Sequence, residues 1–139
     1  MVMRVYATAA DYAAVAEEAW DGDAPTLLKR LRAASVEVER ITRRARYDVD
    51  EDGFPTDVDI ADAFTEATCA IGEYWGITDD VTGAEAVAGA VKIGSVSLGT
   101  TSSSQEALSA QEKLERRIGT RATDILLNAG LLQAAIAHT

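Results

Sequence analysis

PTLLKRLRAASVEVERITRRA, residues 25–45, has the clearest period in the chain and decides its fold class. Leu28, Leu31, Ser35, Val38, Ile41 and Ala45 recur at intervals of three and four, which gathers them on one side of an α-helix. Pro25 suits the first turn, where a backbone N–H has no helical acceptor to lose. The opposite side is charged, and Arg43, Arg44 and Arg46 fall in the last turn, where cations offset the helix dipole. A helix with one narrow apolar stripe packs along that stripe and leaves the rest to solvent.

Working outward, the same logic predicts more helices. Thr8 and Asp11 stand in capping-box relation, and Tyr12, Val15, Ala16 and Ala19 follow on one face, with Trp20 at the end. Asp21-Gly22-Asp23 breaks that helix. After residue 45 comes the acidic loop Tyr47-Asp-Val-Asp-Glu-Asp-Gly53-Phe-Pro55, then Thr56 as the cap of a third helix, again with an Asp three residues on. Ile60, Phe64, Thr68, Ile71 and Trp75 make its stripe. Ala63, Ala67, Ala70 and Tyr74 make an adjoining face whose small residues let another helix approach closely. Gly76 is its expected stop.

The pattern dissolves between Thr78 and Ala90. Val91, Ile93, Val96 and Leu98 then read as the apolar positions of a strand, with a slip at Gly94-Ser95 that suggests a bulge. A lone strand leaves its backbone groups unpaired, so its partner comes from neighbouring residues or from another subunit. Residues 99–104, Gly-Thr-Thr-Ser-Ser-Ser, are a flexible spacer by composition. Gln105 to Ile118 forms a polar helix, Gly119-Thr120 allows a break, and Ala122, Ile125, Leu126 and Ala129 face one way on a last helix that Gly130 ends. The expected architecture is mainly α: a small helical bundle with a short β-strand or hairpin arm and a C-terminal docking helix. Its divisions are a helical core over 1–90, strand and spacer over 91–104, and a helical arm over 105–139.

Composition narrows the function classes. At 139 residues the chain builds one domain. Aromatics are only 6% and much of the 47% hydrophobic content is alanine, which buries little area, so burial against further copies would help it fold. The net charge of −10 argues against general nucleic-acid binding, which needs clustered cations. The cations are nevertheless grouped, at Lys29 to Arg46 and at Lys113 to Arg121, between acidic loops. That grouping reads either as solvated helix faces or as charge complementarity between subunits. The single cysteine fits a reducing compartment, and neither a signal sequence nor an apolar run of membrane-spanning length is visible. A soluble protein made in the cytosol is expected, with no membrane partner.

Three constellations are candidates for chemistry. Asp48, Asp50, Asp52, Gly53 and Asp59 follow the calcium-loop pattern of an EF-hand, with Asp replacing the closing Glu. Pro55 removes a backbone donor from that loop and no second copy exists, so an exposed acidic turn is favoured over a metal site. Cys69 lies on a helix and the one histidine, His138, is next to last in the chain, so thiol chemistry lacks a placed base. No Lys-Ser/Thr follows Gly89, Gly94 or Gly99, so no phosphate loop is present. Trp20, Tyr74 and Trp75 read as core or interface anchors. No active site, cofactor or metal is expected, and the chain is not expected to be an enzyme.

The order of these segments resembles the head-to-tail adaptor (connector) proteins of tailed bacteriophages with long non-contractile tails. The likeness rests on residues 47–57, the helix through Ala67-Thr-Cys69-Ala and Tyr74-Trp75, the run Ile93-Gly-Ser-Val-Ser-Leu98, and Leu127 to Leu132. It implies a virion protein of the phage neck, assembled in the host cytoplasm as a ring, typically dodecameric. Such a ring joins the portal of the head to the stopper or tail, and DNA passes through its channel without sequence-specific binding. Under that reading Ile125, Leu126, Leu131 and Leu132 form the portal-binding patch, unless that helix folds back onto its own bundle. Val91, Ile93, Val96 and Leu98 form the subunit interface. The alternative is a small acidic calcium-binding or regulatory helical interaction protein.

Overall fold

The computed structural model describes residues 4–78 and 110–132, and these are mainly helical. The helices are α1 (Ala9–Val15), α2 (Ala24–Ile41), α3 (Val58–Thr78), α4 (Ala110–Ile118) and α5 (Thr120–Asn128). The strand expected at 91–98, the spacer at 99–104 and residues 133–139 lie outside the described residues. Among those described, the β pairing is a single bridge between Val49 and Pro55.

Local chemistry accounts for where the helices start. Thr8 and Asp11 form the expected capping box, each side chain accepting the other's backbone N–H. Asp23, read above only as part of a helix break, caps α2 by accepting from Thr26 N at 2.8 Å. Asp57, not Thr56, caps α3: its Oδ1 accepts from Asp59 N and Ile60 N. Thr56 is instead drawn into the loop, where its N–H donates to Asp48 O.

Where the helices end depends on distant residues. α1 stops at Val15, before Ala16, Ala19 and Trp20 can join it. The carboxylate of Glu73 on α3 accepts from Glu17 N and Glu18 N, and Arg121 on α5 donates to Val15 O. α2 ends at Ile41 rather than Ala45, and the Thr42 hydroxyl donates to Val38 O. α3 runs through Gly76 to Thr78.

α2 and α3 form the centre and run antiparallel, with Arg30 donating to Trp75 O at one end and Ser35 and Thr65 meeting across Tyr6 further along. Residues 4–7 are extended, and Tyr6 and Ala7 are buried. The Tyr6 N–H donates to Ser35 Oγ at 3.0 Å and its carbonyl accepts from Thr65 Oγ1 at 2.8 Å. Those two hydroxyls satisfy backbone groups that burial would otherwise leave costly.

The main core joins Ala34 and Val38 of α2, Ala63, Phe64, Ala67, Ala70, Ile71 and Trp75 of α3, Leu114 and Ile118 of α4, and Ala122 and Leu126 of α5. The alanine face of α3 therefore does what its small residues allow, admitting neighbouring helices at close range. Tyr6 and Tyr47 meet Phe64 edge-on at 4.8 and 5.3 Å between centroids. α4 and α5, expected as an arm beyond the core, share this core with residues from before position 90. Leu28, expected on the buried stripe of α2, is 46% exposed, and Leu27 and Ala34 take the inner face with Leu31 and Val38.

Candidate functional site

The acidic loop is a tight hairpin. Asp50 N donates to Phe54 O, Gly53 N to Asp50 O and Thr56 N to Asp48 O, closing residues 48–56 on themselves. Asp50 Oδ1 accepts from both Asp52 N and Phe54 N, so it serves the turn. Gly53 has φ +87, and a Cβ there would lie 2.5 Å from the Arg4 guanidinium. Arg4 bridges the loop to α2 by donating to Asp52 O and to Glu39 Oε2, and its bonds to the Tyr6 hydroxyl and then to Glu39 hold its pKa up. Phe54 packs edge-on against Tyr6 and pins the loop to the core. No group of three or more acidic, histidine or cysteine side chains is placed to hold a metal among the described residues, so Asp48, Asp50, Asp52 and Asp59 do not converge.

The expected portal-binding patch is placed differently from its sequence reading. Leu126 is fully buried, Leu131 and Leu132 are buried, and Ile125 is half-buried against the same core. The cause is local. Gly130 takes φ +74, Leu131 N donates to Leu126 O at 2.9 Å and Gly130 N to Leu127 O at 3.0 Å. This is a Schellman turn, whose geometry sets the residue after the glycine against the residue a turn and a half before it. Leu131 is thereby folded onto Leu126 instead of being offered to solvent. The expected interface residues Val91, Ile93, Val96 and Leu98 lie outside the described residues.

Cys69 is fully buried beside Tyr12, Leu27 and Leu31. Burial pushes its thiol up to about 12, the wrong direction for a nucleophile at neutral pH. Trp75 is a core anchor whose indole donates to Arg117 O at 2.7 Å, while the Tyr74 hydroxyl donates to Arg116 O. These two bonds close off carbonyls at the end of α4. Gly119 then turns the chain with φ +92, directly under the Tyr74 ring.

Two carboxylates that the sequence reading passed over hold the C-terminal helices in place. Glu37 of α2 takes a bidentate contact from Arg40 at 2.6 and 3.0 Å and a second contact from Arg117 of α4 at 3.4 Å. Glu73 of α3 joins Arg121 of α5 at 3.2 Å while capping the residues after α1. Both carboxylates are nearly covered, with side-chain exposures of 11% and 13%, so solvent screens these pairs less than surface ones. The i, i+3 spacing of Glu37 and Arg40 was visible in the sequence, but their longer-range partners had no local signal.

What remains on the outside is charge, sorted by element. Residues 24–46 hold seven cations and two anions, a net of +5; residues 47–66 hold eight anions and no cation, a net of −8. Lys29, Arg32, Arg43 and Arg44 are exposed on one segment, and Asp57, Asp59, Asp62 and Glu66 on the other. No family model, curated protein or solved structure matches this chain. No helix among the described residues is long and apolar enough to cross a membrane.

Proposed function

We propose that this chain is a structural subunit of a phage neck. In this reading, copies form a ring that joins the portal of the head to the stopper or tail and lengthens the DNA channel. The observation that carries the proposal is the order of segments along the sequence: a basic amphipathic helix, an acidic loop, an alanine-faced helix and a closing helix pair ending in Leu127 to Leu132. The helical bundle supports it by giving a rigid body built on small residues, with its charge sorted onto separate outer faces. An acidic total suits a channel wall past which DNA slides without being gripped. The alternation of Val91, Ile93, Val96 and Leu98 in the sequence fits this role as the pattern of a segment that would pair with a neighbouring subunit, since added strands join chains through backbone hydrogen bonds.

The portal contact is not assigned to Leu126, Leu131 and Leu132, because their burial within the bundle leaves them nothing to offer. It falls to the outer surface. Sedimentation of the protein with and without purified portal rings tests the proposal. Co-migration with the rings is expected, and a protein that stays monomeric in both samples overturns it.

A further inference from the structure

We propose that copies of this chain meet head to tail, the basic face of α2 on one seating against the acidic face of α3 on the next. This deepens the neck reading and rests on it for the closure of the assembly; the contact itself stands on how charge is sorted in the molecule. Lys29 and Arg32 lie on one line of α2, three residues apart, and Arg43 continues the charge just past the helix end. Asp59, Asp62 and Glu66 lie on one line of α3 at intervals of three and four. All six are exposed, and none takes part in an ion pair among the described residues.

Glu37, Glu39 and Glu73 pair with arginines of the same chain, whereas these six face solvent and make two surfaces of opposite sign. Each surface supplies what the other lacks. The acidic line from Asp59 to Glu66 spans seven residues, about 10 Å of helix, and Lys29 to Val36 spans the same length, with Arg43 about two turns further on. Val36 at 48% exposure continues the basic line, and Val58 at 70% borders the acidic one, so both faces include an apolar side chain that contact would cover. A reciprocal pairing, α2 on α3 and α3 on α2, would close as a two-fold dimer, whereas a one-way pairing leaves one face of each kind open on every copy. A head-to-tail contact propagates, and it closes into a ring when the rotation per subunit allows. Like-charged faces repel, which excludes the reverse pairing.

Charge reversal tests this in the full-length protein. One variant combines Lys29→Glu, Arg32→Glu and Arg43→Glu; the other combines Asp62→Lys and Glu66→Lys. All five positions are exposed, and circular dichroism checks that both variants fold. Wild type at low ionic strength is expected to sediment beyond the dimer, a discrete dimer overturning the head-to-tail contact, and to fall to monomer near 0.5 M salt, where the screening length shrinks to about 4 Å. Each variant alone is expected to stay monomeric, and an equimolar mixture of the two to recover the wild-type association. Variants that associate as wild type does, or a mixture that recovers nothing, overturn the inference. Wild type that joins portal rings, with both variants joining equally well, leaves the neck reading standing and removes this contact. Wild type that shows the reversal pattern yet ignores portal rings does the opposite.

Discussion

Leu126→Ala measures whether the C-terminal helices are part of the core or an appendage. Leu126 is fully buried on α5, against Leu131 and the α3 face. Truncation removes three carbons, worth about 2.4 kcal/mol at ~0.8 kcal/mol each. The space left behind raises that to roughly 3–4 kcal/mol, because a fully buried site within the main core relaxes only in part. With a urea dependence on the order of 2 kcal/mol per molar, the unfolding midpoint should fall by about 1.5–2 M. Leu28→Ala is the matched control: on a residue 46% exposed, the same change should move stability by no more than about 0.5 kcal/mol. Urea unfolding followed by circular dichroism reads both. A loss below about 1 kcal/mol for Leu126→Ala would refute the placement of α5 in the core.

The other expectations follow from single contacts. Gly119→Ala should destabilise by roughly 2–3 kcal/mol and Gly130→Ala by about 1, because both need positive φ but only Gly119 has the Tyr74 ring 3.0 Å from the new Cβ; equal losses in thermal melts would contradict this. Between the ordinary thiol value of 9.0 and about 12, unfolded Cys69 gives up its proton while the buried thiol keeps it, so the native state holds more protons and stability falls as pH rises. Tyr6, held up to about 12 by burial, steepens the fall in the upper part of that window. The stability of wild type relative to Cys69→Ala should therefore decline above about pH 9, by at most ~1.4 kcal/mol per pH unit, and a constant difference would show the thiol to be accessible. Millimolar calcium should leave the melting temperature unchanged, because Asp50 is engaged by its own loop; specific binding at a hundredfold excess would add about 2.7 kcal/mol.

Much of the bundle was legible because its causes are local. The Thr8–Asp11 box, the Leu31 and Val38 face of α2, and the stripe through Phe64, Ile71 and Trp75 on α3 all appear where spacing placed them. The misses share a different cause. α1 ends early because Glu73 and Arg121, far along the chain, satisfy the backbone there, and no pattern within residues 8–20 encodes that. Ser35 looked like a weak position on an apolar stripe, yet its hydroxyl holds Tyr6 in the groove between α2 and α3. The closing turn is where the sequence leaves a docking patch and a fold-back both open, although a signal for the fold-back is present. An apolar residue four positions before a terminal Gly and another just past it is the pattern of a Schellman turn, and Leu126, Gly130 and Leu131 show it.

Electron microscopy of the protein mixed with the portal proposed as its partner tests the central claim most directly. End-on views are expected to show a closed ring of this chain lying coaxially on the portal, with a central channel wide enough for duplex DNA. Portal rings that remain bare, with this protein dispersed as single subunits around them, would contradict it.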